Sequence, residues 1–127
     1  MKRILVDTSV WVDHFRRSNE ELSRLLALDS VLVHPMVLLE LACSTPPAPR
    51  QRTLRDLSLL PHAAAAEWRE VMTFIERESL YGLGCGLVDL SLLASTLLTP
   101  GAAMWTLDRR LNEVAVRLGV AHQPAVH

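Results

Sequence analysis

The chain has 127 residues, of which 50% are hydrophobic, 21% charged and only 5% aromatic. That is one domain, residues 1–127, with a core of Leu, Val and Ala; it is not the composition of a disordered chain. A net charge of −1 excludes a strongly basic nucleic-acid binder. No apolar stretch approaches the roughly 20 residues of a bilayer span, and Asp7 interrupts the first apolar segment too early for a secretory signal. Cys43 and Cys85 stand in no CxxC or Cys/His spacing, so they read as buried apolar thiols rather than a zinc or disulfide framework. A cytoplasmic location with no membrane contact is the expectation.

In chain order, Lys2 to Val6 reads as a short buried strand. Thr8 and Ser9 offer N-caps for a helix through Val10 to Phe15. Ser18-Asn-Glu-Glu21 reads as a capping box before Leu22, Leu25 and Leu26 at helical spacing. Val31 to Val33 is a second strand, and Pro35 suits the first turn of a helix reaching Cys43. Ser44 to Pro49 is a loop, followed by a helix over Gln51 to Leu59. Ala63 to Tyr81 is predicted as one long helix with Trp68, Val71, Met72 and Ile75 on its apolar face. Gly82 to Gly86 is a turn before a very apolar, buried helix from Leu87 to Leu98. Ala103 to Leu107 is a third strand, Asp108 to Leu118 an amphipathic helix with Gly119 as its C-cap, and Val120 to His122 a possible last strand. Short apolar strands alternating with helices imply an α/β fold, a parallel sheet with helices on both faces. Ligands of such folds bind outside the carboxyl ends of the strands.

Four acids interrupt apolar runs: Asp7, Glu40, Asp89 and Asp108. An unpartnered buried carboxylate costs several kcal/mol, so such acids are normally paired or metal-bound. Each also has an ordinary reading. Asp7 could cap a helix, Glu40 could pair with an arginine, Asp89 could answer a helix dipole, and Asp108 could be an N-cap. Taken together they predict one acidic pocket assembled by folding. Carboxylate ligands select hard cations such as Mg²⁺ or Mn²⁺, and a cation so held serves phosphodiester hydrolysis. Thr106 is a candidate to orient a carboxylate. The five histidines, His14, His34, His62, His122 and His127, are scattered with no i,i+4 pair, which argues against a His-based site. Asp13 reads as a solvated partner of Arg16 or Arg17. If a cation neutralises the four acids, the remaining surface is basic. Its local clusters are Arg16-Arg17, Arg50/Arg52/Arg55 and Arg109-Arg110.

The segments Leu5-Val-Asp-Thr-Ser-Val-Trp-Val-Asp13, Val37-Leu-Leu-Glu-Leu41, Gly86-Leu-Val-Asp-Leu-Ser-Leu-Leu-Ala94 and Trp105-Thr-Leu-Asp-Arg-Arg-Leu111 cover much of the chain in order. Together they resemble the PIN-domain ribonucleases, specifically the VapC-type toxins of bacterial type II toxin–antitoxin pairs. The resemblance implies a PIN-like three-layer α/β/α fold with a short parallel sheet. It implies a Mg²⁺- or Mn²⁺-dependent endoribonuclease, with Asp7, Glu40, Asp89 and Asp108 as the acidic quartet and Ser9 and Thr106 as supporting hydroxyls. It also implies an RNA substrate, a homodimer and a small antitoxin. The arginine clusters would supply RNA contacts, because aromatic residues for base stacking are few. Two other classes compete. One is a non-catalytic interaction module on the same fold. The other is an Asp-based phosphoacceptor or phosphatase, but Ser9 stands where such a phosphatase has its second Asp, and the lone Lys2 cannot serve as a receiver's late lysine.

Overall fold

In the structure, a computed structural model, residues 2–124 are described. Among them are three strands, β1 (Arg3–Val6), β2 (Val31–Leu32) and β3 (Ala102–Trp105), and seven helices. The helices are α1 (Thr8–Arg17), α2 (Glu20–Ala27), α3 (Pro35–Ala42), α4 (Arg50–Ser58), α5 (Trp68–Glu78), α6 (Leu87–Leu98) and α7 (Arg109–Arg117). The strands form one parallel sheet in the order β2-β1-β3. Single parallel bridges extend it at both edges, Val33 with His62 and Met104 with Ala121. The expected last strand is thus reduced to one bridge, held by Met104 N–H to the Val120 carbonyl and His122 N–H to the Met104 carbonyl.

Successive strand side chains point to opposite faces. Ile4, Leu5 and Val6 are all buried, as are Ala103, Met104 and Trp105. Both faces of the sheet are therefore covered, which is the PIN-like three-layer α/β/α arrangement. On one side α6 packs against β3 and α5 against α6. The middle of α6 from Leu90 to Thr96 is buried, while Leu87, Leu97 and Leu98 at its ends are exposed.

The long helix predicted over Ala63–Tyr81 is too long. Only Trp68–Glu78 is helical, and residues 63–66 run extended along α6. Their backbone donors are taken by tertiary partners: Ala63 N–H by the Val33 carbonyl, Ala64 N–H by Thr99 Oγ1 and Ala66 N–H by Ser95 Oγ. The helix preference of the alanines is weaker than these contacts. Of the expected apolar face, Val71 and Ile75 do pack on the core, but Trp68 and Met72 do not. Val71 and Phe74 are buried, whereas Trp68 and Met72 are 66% and 56% exposed. Cys43 is exposed and Cys85 half-buried, so the expectation of two buried thiols is corrected as well. At the start of α2 the cap is Asn19, whose side chain accepts from Leu22 N–H, and not Ser18, which turns the chain at φ 46°.

His34 joins both halves of this framework. Its Nδ1 accepts from Met36 N–H and caps α3, so in the neutral ring Nε2–H donates to Ser95 Oγ on α6. Burial, and secondarily the charge of His62, holds its pKa below the usual 6.5. The unfolded chain therefore takes up the proton first as pH falls. The stability from neutral His34 is present above about pH 6.5 and is lost as pH drops through the lower folded value. Denaturant melts of the native chain between pH 7 and 5 should show this loss. His34→Asn keeps a capping side chain and should flatten that part of the slope. Identical slopes would remove His34 as the cause.

Candidate functional site

The parallel register pairs Val6 with Trp105, so the residues that follow, Asp7 and Thr106, emerge side by side at the carboxyl edge. Asp7 N–H donates to the Trp105 carbonyl at 2.9 Å. From β1 the chain reaches β2 on one side and β3 on the other, so this edge is the switch point where α/β sheets bind ligands. Asp7 is buried, and Ser9 Oγ and Thr106 Oγ1 both donate to its Oδ2, at 2.7 and 2.8 Å. Its side chain makes no capping bond to α1, although it occupies the N-cap position. Thr8 and Ser9, expected as caps, do other work. Thr8 Oγ1 donates to Glu40 Oε1 at 2.6 Å, and Ser9 Oγ accepts from Leu107 N–H at 3.0 Å.

Glu40 is exposed on α3, on a more solvated face than its apolar neighbours suggested. Asp89 is half-buried in the first turn of α6, where its Oδ2 accepts from Gly86 N–H at 3.2 Å. Asp108 caps α7 by accepting Leu111 N–H on Oδ1, the ordinary role weighed for it, and is exposed. Burial pushes the Asp89 carboxyl above its usual range. The Gly86 N–H opposes this, and the charges of Asp7, Asp108 and Glu40 push it up further. Four acids from distant parts of the chain thus share one electrostatic neighbourhood. Among the described residues, no three His, Cys, Asp or Glu side chains already stand close enough to hold an ion together. Three of the four carboxylates lean on local donors instead: Thr8, Gly86 N–H and Leu111 N–H. Cys85 lies beside them. Burial, then Asp89 and Asp108, push its thiol up, and Arg110 opposes.

The arginine clusters divide by environment. Arg17 pairs with Asp13 at 2.7 Å, the partnership expected for Asp13, and Arg109 reaches Glu113 at 3.4 Å. Arg110 lies over Gly84, at φ 82°, where its guanidinium fills the space a Cβ would need. Arg50 donates to the Ala42 carbonyl at the end of α3, two residues beyond Glu40. Arg52 and Arg55 are exposed on α4. Arg16 makes no ion pair among the described residues and borders a groove with Ser9, Val12 and Leu107. Among the histidines, His127 lies outside the described residues, and none of the described ones joins the acids. A separate apolar groove between α5 and α6, bordered by Arg69, Phe74, Arg77 and Leu98, contains no member of the quartet.

The chain matches the PIN domain family over residues 4–117. It is a PIN domain. It is 40% identical over 118 residues to Ribonuclease VapC32 of Mycobacterium tuberculosis strain CDC 1551 / Oshkosh, covering 93% of this chain and 94% of that protein. The same figures hold for Ribonuclease VapC32 of Mycobacterium tuberculosis strain ATCC 25618 / H37Rv. Within this PIN domain, sequence reasoning missed Thr8 as the partner of Glu40. The signal was its place beside Asp7, which also suits a helix cap.

Repulsion at Asp89 gives a direct check. A carboxyl whose folded pKa is raised destabilises the fold as it ionises, so its cost grows as pH rises above about 3.8 and persists at pH 7. Asp89→Asn keeps an acceptor for Gly86 N–H and removes the charge. In EDTA at pH 7 it should raise stability, by no more than about 1 kcal/mol because Asp89 is partly solvated. An unchanged or lower Tm would show that ionised Asp89 carries no such cost.

Proposed function

We propose that this chain is a Mg²⁺- or Mn²⁺-dependent endoribonuclease, the toxin of a toxin–antitoxin pair, with Asp7, Glu40, Asp89 and Asp108 as its metal-binding and catalytic acids. The observation that carries this reading is the placement of Asp7, held by Ser9 and Thr106 at the carboxyl edge of a parallel sheet, with Asp89, Asp108 and Glu40 in the same electrostatic neighbourhood. The name of the relatives, Ribonuclease VapC32, supports the reaction class. The donor set fits a hard cation. All four groups are carboxylates, and Mg²⁺ needs only one or two of them beside its waters and substrate oxygens. When bound, such an ion acidifies a water and neutralises charge on a phosphodiester oxygen.

The chain's own residues do the rest. Ser9 and Thr106 hold Asp7 Oδ2, so Asp7 meets the ion in one fixed orientation. Thr8 restrains Glu40, and the Gly86 N–H restrains Asp89. Glu40 and Asp89 would join Asp7 in holding the ion, which would offset the repulsion among the carboxylates. Arg16, unpaired beside Ser9, contacts substrate phosphate, with weaker roles for Arg17, Arg50, Arg52, Arg55, Arg109 and Arg110. RNA is the substrate, a small antitoxin covers the site, the protein acts in the cytoplasm, and a homodimer is the working assembly. Among the described residues no helix is long and apolar enough to cross a membrane.

Purified protein incubated with total RNA should yield discrete fragments with Mn²⁺ or Mg²⁺ and none with EDTA. Asp7→Asn should abolish them. Thr106→Val removes one of the two hydroxyls on Asp7 and should weaken activity or metal affinity about 10- to 100-fold. Metal-independent cleavage, or full activity in Asp7→Asn, would overturn the assignment. A folded, metal-loaded native chain that cuts nothing would favour a non-catalytic interaction module.

A further inference from the structure

Leu107 divides two hollows that are lined by no member of the quartet but that each reach a hydroxyl bonded to Asp7, Thr106 in one and Ser9 in the other. It is 51% exposed, and its backbone is pinned by Ser9, the same hydroxyl that donates to Asp7. On one side runs the α1 groove with Arg16. On the other is a cavity of about 330 Å³, bordered by Trp105, Thr106, Leu107, Asn112, His122 and Gln123. That volume is in the range of sites that hold small planar ligands. The wall is rigid. Trp105 and His122 meet edge to face with ring centroids 5.5 Å apart, and His122 Nε2 lies 2.9 Å from Glu21 Oε2. Glu21 is itself held by Arg24 through two bonds. Thr106, whose hydroxyl bonds Asp7, sits on the rim. By contrast, the side-chain amides of Asn112 and Gln123 form no hydrogen bond with the other described residues. They are the polar groups of the cavity still open to a ligand.

We infer that this cavity takes the unpaired base of the nucleotide next to the scissile phosphate, and that Asn112 reads its edge. The inference rests on the ribonuclease reading and adds a specificity determinant to it. An amide offers a donor and an acceptor in one plane, matching the paired groups on the edge of an unstacked base. Leu107 is the apolar wedge that keeps this base apart from its neighbour, which lies along α1. The phosphate between the two would then lie near Ser9 and Thr106, the hydroxyls that bond Asp7.

The test separates binding from cleavage. Fluorescence anisotropy would measure short labelled oligonucleotides of uniform A, C or U in EDTA, against the native chain and Asn112→Leu. The native chain should prefer one base by at least fivefold. Asn112→Leu should level that preference while retaining weak, salt-sensitive binding. In parallel, 5′ ends produced from total RNA with Mn²⁺ should shift in Asn112→Leu, and in the milder Asn112→Asp, toward other flanking bases. No base preference in the native chain, or the same preference and the same cut sites in the variants, would overturn the inference and leave the cavity to a protein partner. Base preference in a native chain that cuts nothing would uphold the pocket and sink the ribonuclease reading instead.

Discussion

The pairing of Val6 with Trp105 is the constraint on which the site depends. It puts Asp7 and Thr106 next to each other, although 99 residues separate them. A parallel strand slipped by one residue would turn its inward side chains outward. Here both faces are packed, so such a slip would send each side chain into the layer shaped for its neighbour, and packing locks the register. The carboxylate orientation is therefore inherited from the core. Ser9 and Thr106 then convert register into a fixed direction for one carboxylate oxygen.

Electrostatics works against this arrangement. The half-buried acid, Asp89, has its proton affinity raised by burial first and then by the charges of Asp7, Asp108 and Glu40. The fold tolerates it because the other carboxylates either stay solvated or find neutral donors nearby, Thr8 for Glu40 and the α7 N-terminus for Asp108. The proposed cation would offset this cost. That balance is common where stability is given up locally for chemistry.

The basic surface follows a parallel logic. Seven arginines were candidates for RNA contact, but most are occupied by carboxylates, a carbonyl or a glycine turn. Among the described residues Arg16, like Arg52 and Arg55, has no carboxylate partner, and it borders the groove that also contains Ser9. Leu107 stands between that groove and the amide-bearing cavity, so the surface around the acids is divided, with charge on one side and hydrogen-bonding edges on the other.

The sequence by itself determined the α/β architecture and the identity of the four acids, because short β-branched strands and carboxylates in apolar runs are local signals. Strand and helix positions followed from the same patterns to within a residue or two for most elements. Residues 63–67 did not, since alanines favour a helix and only contacts with Thr99 and Ser95 hold most of that segment extended. Nor could Trp68 and Met72 be placed, because the face a helix buries depends on where it starts. The roles of Thr8, Ser9 and Asn112 were equally out of reach. A hydroxyl or amide looks the same in sequence whether it caps a helix, orients a carboxylate or lines a cavity, and only tertiary structure supplies the partner that decides.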